Sequence, residues 1–291
     1  MTFHPFAAIR RTIAQARRVM PALAAALLGL TGPALAAPVQ MPGTQELALK
    51  SQQGAQYRIW ISEPSGPVPY TGGYRVLYVL DGNAFFGTFH DAKRLQDDFA
   101  DTIIVAVGYP TDKPHDFNRR AYDLTPPAPG AKPPQGGQDE LLDFLEKTLK
   151  PAIAARYKID SQQESLFGHS FGGMFALYAM YTRPALFDHY VAASPTLWWA
   201  NRYLLPPERA FVGRVERGEV DVRHTSLMLA AGDVEPAQEV QDVTALEKRL
   251  QPLSAYGLRT SLRIQPGEDH MSMTPSIAAQ VLREVFTART Q

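Results

Sequence analysis

Five apolar runs, YRVLYVLDG, TIIVAVGYP, ESLFGHS, FDHYVAASP and HTSLMLAAGD, recur along this chain with helical patterns between them. An almost continuous apolar run suits a strand covered on both faces, whereas a strand with one wet face alternates. The intervening segments NAFFGTFHDAKRLQDDFA, QDELLDFLEKTLKPAIAARY, FGGMFALYAMYTR and AQEVQDVTALEKRLQPLSAYG read as helices. LRTSLRIQPGEDH supplies one more strand, and TPSIAAQVLREVFTAR closes the chain as a helix. Strands that alternate with helices in this way predict an α/β fold, a mostly parallel central sheet with helices on both faces. Ahead of it, TQELALKS and QYRIWISEP alternate around the turn QQGA, so an antiparallel N-terminal hairpin adds to one edge. Segment 109–137 is a Pro/Gly-rich connection, and connections of that length in a compact domain are usually functional or disordered.

The first residues have a different character. AIRRTIAQARRV is basic, MPALAAALLGL is apolar but short, and Ala34-Leu35-Ala36 supplies small residues at a cleavage site. That order is the pattern of a secretory signal peptide over 1–36. The apolar run falls short of the roughly 20 residues that span a bilayer. The expectation is an exported, soluble, periplasmic protein whose single domain covers 37–291, with no stable membrane insertion once the signal is removed. Arg10-Arg11 leaves twin-arginine export open beside the general route. Lys+Arg and Asp+Glu number 29 each, which argues against a nucleic-acid partner. The chain has no cysteine, so thiolate metal sites, disulfides and a cysteine nucleophile are excluded. No GxGxxG, P-loop or HExxH motif occurs, and neither a cofactor nor a metal is expected.

Gly168-His169-Ser170-Phe171-Gly172 matches GxSxG between a strand and a helix, the context that a nucleophile elbow requires. A serine hydroxyl is a weak nucleophile until a base takes its proton. In a hydrolase of this topology the acid and the histidine follow the serine in the chain. Of seven histidines, His4 lies in the leader, His90 and His115 come too early, and His169 sits inside the elbow. His189 precedes a strand and His224 begins one. His270, after the last predicted strand, is left as the base. The acid should follow SLMLAAG, where Glu235 is preferred and Asp233 is the alternative; a Ser–His dyad stays open. Backbone amides of Phe171, after the nucleophile, and Asn83, in Asp81-Gly82-Asn83, are the expected oxyanion donors. Ser194-Pro195 reads as a strand-end element.

Together LYVLDGNAFF, IVAVGYP, RRAYDLTP, FGHSFGGMFALYAM, VAASPTLWW and GEDH resemble the esterase D branch of the α/β-hydrolases. More closely, they are similar to the periplasmic esterases that open trilactone catecholate siderophores such as enterobactin and salmochelin. The resemblance implies Ser170 and His270 as the catalytic pair, and Arg120 facing the substrate pocket. It implies a small-molecule ester as partner, an iron-bearing catecholate siderophore. Arg119, Arg120, Trp198 and Trp199 offer cations and flat rings that suit an anionic aromatic ligand. The same fold also serves short-chain and aryl carboxylesterases and acyltransferases, and a catalytically silent siderophore-binding protein is the alternative from another class.

Overall fold

The computed structural model describes residues 40–70 and 72–286. The signal-peptide reading of 1–36 lies outside them. The chain divides into two units, Met1–Pro42 and Gly43–Gln291, and the architecture below is that of the second.

Strands β1 (Thr44–Lys50) and β2 (Gln56–Ser62) form the expected antiparallel hairpin. β2 then pairs antiparallel with β4 (Thr102–Gly108). β3 (Tyr74–Val79), β5 (Ile159–His169), β6 (His189–Ala193), β7 (Ser226–Gly232) and β8 (Arg259–Gln265) complete an eight-stranded sheet in the order β1-β2-β4-β3-β5-β6-β7-β8. From β4 to β8 every pairing is parallel. All residues of β4 and β6 are buried, which is why both read as unbroken apolar runs. The sheet separates two cores, and β3 shows the two-residue period that feeds them: Val76 and Tyr78 enter one, Leu77 and Val79 the other.

Helices α1 (Gly82–Arg94) and α9 (Met273–Phe286) cover the second core with Phe85, Phe89, Ile277 and Val281. The first is covered by α3 (Gln138–Phe144), α5 (Phe171–Thr182), α7 (Leu205–Glu216) and α8 (Ala237–Leu250), through Leu142, Phe175, Phe211 and Leu246. Removing a ring such as Phe175 to alanine would cost about 3–5 kcal/mol in packing of this kind.

Three features depart from the sequence reading. Segment 109–137 contains a helix, α2 (Phe117–Asp123), capped by the Asp116 carboxylate, which accepts from the Arg119 amide at 3.1 Å. Tyr109 and Leu124 of the same segment belong to the first core, so the connection is anchored rather than loose. Helix α7 has no counterpart in the sequence reading; Pro206-Pro207 occupy its first turn, where a missing N–H is no loss. The helix from Gln138 is not uniform either. It passes through a π-helical turn at Leu145–Leu149 before α4 (Lys150–Ala154), next to Pro151, whose missing N–H cannot close an α-helical bond. The remaining short helix, α6 (Trp199–Arg202), carries left-handed backbone at Ala200 and Asn201.

His189, at the start of β6, shows how burial sets a pH response remote from the helices' outer faces. Its Nδ1 is 2.8 Å from Ser226 Oγ, and its Nε2 is buried without a partner among the described residues. Burial, with Arg259 adding to it, lowers its pKa to about 4. The unfolded chain protonates this ring near 6.5, so between about pH 6.5 and 4 it binds a proton that the folded chain refuses. Stability therefore falls as pH drops through that window, by up to about 3 kcal/mol from this residue. We expect His189→Asn to flatten the pH 4–6.5 slope of thermal unfolding. An unchanged slope would show that the ring is not held neutral.

Candidate active site

At the C-terminal end of β5 the chain turns directly into α5, and Ser170 is the turn, with φ 60° and ψ −119°. A non-glycine residue in that conformation is strained by roughly 1–3 kcal/mol and persists only where its surroundings fix it. Here Ser170 N donates to Ala193 O at 3.0 Å, and Met174 N donates to Ser170 O at 3.0 Å. A β-carbon at Gly168 would lie 2.0 Å from Gly172 O, and one at Gly173 would lie 2.9 Å from Ala193 O. At Gly172 the nearest atoms stand 3.6 Å away. The turn thus needs its glycines at 168 and 173, whereas the GxSxG pattern names 168 and 172. Ser170 Oγ is half-buried and lies 3.3 Å from Thr196 Oγ1.

His270 stands in the loop after β8. Its Nδ1 is 3.1 Å from Glu235 Oε2, whose carboxylate is buried at the end of β7. The other oxygen, Oε1, accepts from Ser194 Oγ at 2.6 Å and from Gly232 N at 2.7 Å. Burial pushes the Glu235 pKa up, but the hydrogen bonds from His270, Ser194 and Gly232 outweigh it, and the net shift is downward. An ionised acceptor on Nδ1 keeps the ring's proton there and leaves Nε2 free to act as base. Asp233, the other acid, accepts from Gly267 N at 2.7 Å and shapes the histidine loop. The loop passes so close to β7 that a β-carbon at Gly232 would meet Glu268 O at 2.0 Å. His169 fastens it from below: its Nε2–H donates to His270 O at 2.7 Å, with the rings 4.7 Å apart. Burial, reinforced by the neighbouring His270, holds the His169 pKa at about 4, so this bond is made by a neutral ring.

The loop after β3 abuts the elbow, since the same Gly172 β-carbon would be 3.6 Å from Asp81 Oδ2. Asp81 is left-handed, at φ 53° and ψ 46°, and starts α1. The first amides of a helix have no intrahelical acceptor, so those of Asn83 and Phe171, both in a first turn, suit an anion. The Asn83 side chain fixes its backbone: Oδ1 accepts from Tyr109 N at 2.8 Å, and Nδ2 donates to Tyr109 O at 3.0 Å and Thr111 O at 2.7 Å.

Arg120 does not present a free cation. Its Nε and Nη2 donate to Asp81 Oδ1 and Oδ2 at 3.0 and 2.9 Å, and the residue is buried. Its guanidinium also lies 5.4 Å from the Phe171 ring centroid. Although burial opposes it, the Arg120 charge and hydrogen bonds, with His115 Nδ1 nearby at 3.8 Å, hold Asp81 well below the usual carboxylate range. Arg119 lies over the rings of Tyr57 and Tyr109, 5.1 Å from each, and pairs with Asp123 at 3.3 Å. Trp199 packs edge-on against Phe171 at 4.7 Å. Trp198 is 46% exposed, and its indole N–H donates to Glu239 Oε1 at 3.2 Å.

The structure therefore brings Ser170, Phe171, Asn83, Glu235 and His270 to one sheet edge, sets Asp233 in a turn, and turns both arginines inward. The sequence reading gives Thr196, His169 and Asp81 no role in the site, and it treats Ser194 as a strand-end residue with a site-facing role open. All four lie within the motifs VAASPTLWW, GHSFG and DGN, but none of those motifs states the contact its residue makes.

Residues 52–273 match the family described as "Putative esterase". The chain is 33% identical over 263 residues to the ferri-bacillibactin esterase BesA of Bacillus subtilis, an alignment covering 84% of this chain and 89% of the relative. Among solved structures, the BES protein from Bacillus cereus superposes with a TM-score of 0.80 at 32% identity, over 86% of this chain and 98% of that one. The enterobactin hydrolase IroE, in complex with DFP, superposes with a TM-score of 0.69 at 27% identity, covering 84% and 95% of the two chains. With its α/β-hydrolase sheet, its serine on a strained elbow and a match across most of its length, the chain belongs to this family of esterases.

Proposed function

We propose that this esterase cleaves the trilactone ring of a catecholate siderophore, with Ser170 as nucleophile, His270 as base and Glu235 as the acid behind it. The observation that carries the reading is the relay from Ser194 and Gly232 through Glu235 to His270 Nδ1, set beside a serine at φ 60°. The Ser170 hydroxyl, resting against Thr196, turns to give its proton to Nε2 as Oγ attacks the ester carbon. The amides of Phe171 and Asn83 hold the oxyanion. On collapse the C–O bond breaks and the alcohol leaves with the proton from Nε2, still tethered because the ester was part of a ring. Water, deprotonated by the same nitrogen, then frees the acid and restores Ser170.

The surroundings suit an aromatic, anionic ligand. A recess of about 580 Å³ beside the Asp81 loop is lined by Lys113, His115 and Phe117. Phe117, Trp198, Val234 and Met271 are exposed, the last two adjoining Glu235 and His270 in the chain. Relatives that act on bacillibactin and enterobactin support the substrate class. We place the enzyme in the periplasm, on the order of charged, apolar and small residues in 1–36. No helix among the described residues is long and apolar enough to cross a membrane.

Mass spectrometry of enterobactin, iron-loaded and iron-free, incubated with the chain should show linear trimer and shorter products. Their formation should exceed cleavage of p-nitrophenyl butyrate in kcat/KM. Butyrate cleavage with the trilactone intact would sink the substrate assignment while leaving the mechanism standing.

A further inference from the structure

Glu235 is not the only carboxylate at the imidazole. Glu239, in the first turn of α8, has Oε2 3.8 Å from His270 Nδ1, against 3.1 Å for Glu235 Oε2. One ligand atom from each of the three residues lies within 4.8 Å of the others. A four-coordinate zinc ion with bonds of about 2.0–2.2 Å sets its ligand atoms about 3.3–3.6 Å apart, so the two distances to Nδ1 bracket the required edge. The charge also fits. Among the described residues no lysine or arginine pairs with Glu235 or Glu239; the second oxygen of Glu239 takes only a neutral indole N–H. One ligand is fixed and two can adjust: the Glu235 side chain is fully buried and doubly held, while those of Glu239 and His270 are 22% and 33% exposed and leave the ion a way in.

We propose that Glu235, Glu239 and His270 form a binding site for a borderline divalent transition-metal ion, of the zinc or cobalt class, and that its occupancy switches the esterase off. One imidazole with two carboxylates favours such ions over magnesium or calcium, which prefer all-oxygen shells. The inhibition follows from proton position. A metal on Nδ1 takes the lone pair there, so the single proton of the neutral ring moves to Nε2. Nε2 then carries a hydrogen and cannot accept the one from Ser170. No atom is gained or lost besides the ion, and a chelator reverses the change.

The binding claim stands apart from the proposed mechanism, whereas the inhibition claim rests on it, and two measurements keep them separate. Zinc titrated calorimetrically into full-length Ser170→Ala, which has no turnover to report, should bind one ion per chain. Adding Glu239→Gln should weaken that binding by about tenfold or more. Trp198→Phe removes the N–H that holds the other oxygen of Glu239, so it should weaken binding as well, by less than Glu239→Gln. Equal affinity with and without Glu239→Gln, tighter binding in Trp198→Phe, or magnesium binding as well as zinc would each overturn the site. In wild type, p-nitrophenyl butyrate hydrolysis in EDTA tests the esterase by itself. Zinc should then suppress that rate, and Glu239→Gln should move the midpoint about tenfold higher relative to its own metal-free rate. Zinc bound at the site with the rate unaltered would refute the switch.

Discussion

Ser170→Ala is expected to lower kcat/KM for ester hydrolysis on the order of 10⁵–10⁶-fold while leaving the melting temperature within a degree or two of the parent. Loss of that size follows when the nucleophile of a serine relay is removed, because the remaining amides and binding contacts retain only a residual acceleration. The alanine keeps the same backbone and removes one half-buried hydroxyl whose partner, Thr196, is itself a hydroxyl. His270→Ala should cost a similar factor, and the double variant barely more than either single one, since the two residues act as a unit. Glu235→Gln should lose about 10⁴-fold. A carboxamide can offer an N–H to Nδ1 and reverse the tautomer. Steady-state kinetics on p-nitrophenyl butyrate would decide; Ser170→Ala with more than a few per cent of parental activity would remove the serine from the mechanism.

The second large effect concerns Arg120. A cation that contacted substrate would, when removed, raise KM and leave kcat nearly intact. The bidentate pair with Asp81 predicts the opposite split, because Asp81 precedes Gly82-Asn83 and the guanidinium also rests on Phe171. One buried cation thereby braces both segments that carry the proposed oxyanion amides. Arg120→Met should depress kcat on the order of 10²-fold, the scale of one misplaced oxyanion donor, with KM changed little. It should also destabilise the fold by about 3–5 kcal/mol, since Asp81 is left charged and buried. Arg120→Lys keeps the charge but not the planar fork, so it should recover stability more than rate. A rise in KM alone would return Arg120 to the substrate pocket.

Much of this was legible from residues, and the parts that were not share a cause. β4 and β6 announce themselves because both faces are buried, and the elbow through GxSxG, of whose glycines the turn sterically demands Gly168. His270 emerged by elimination. His115 also stands in a loop at that sheet edge, but it precedes the serine in the chain; among the described residues His270 is the loop histidine after the serine at that edge. Glu235 drew only a preference over Asp233 from the sequence, because the two stand in one short loop. What separates them is a hydrogen bond from Ser194, 41 residues away on the neighbouring strand. His169 could be dismissed as the base, but its bond to a carbonyl 101 residues distant could not be foreseen. Arg120 was recognisable as a cation near the site, while its partner depended on how segment 109–137 folds back. Helix α7, which the sequence reading does not contain, starts on two prolines that are harmless only in a first turn.

That segment's anchoring also marks where this scaffold can be re-aimed. Tyr109, Thr111, His115, Asp116, Arg119, Arg120 and Leu124 fix its path against the sheet and the Asp81 loop, and between and beyond them the chain is most open at 112–114 and 127–136. A library confined to those two arcs would alter what meets a new ester while sparing the residues that brace the proposed oxyanion amides. One that strayed into the anchors would trade selectivity against turnover and folding together, so the useful variation is discontinuous along the chain.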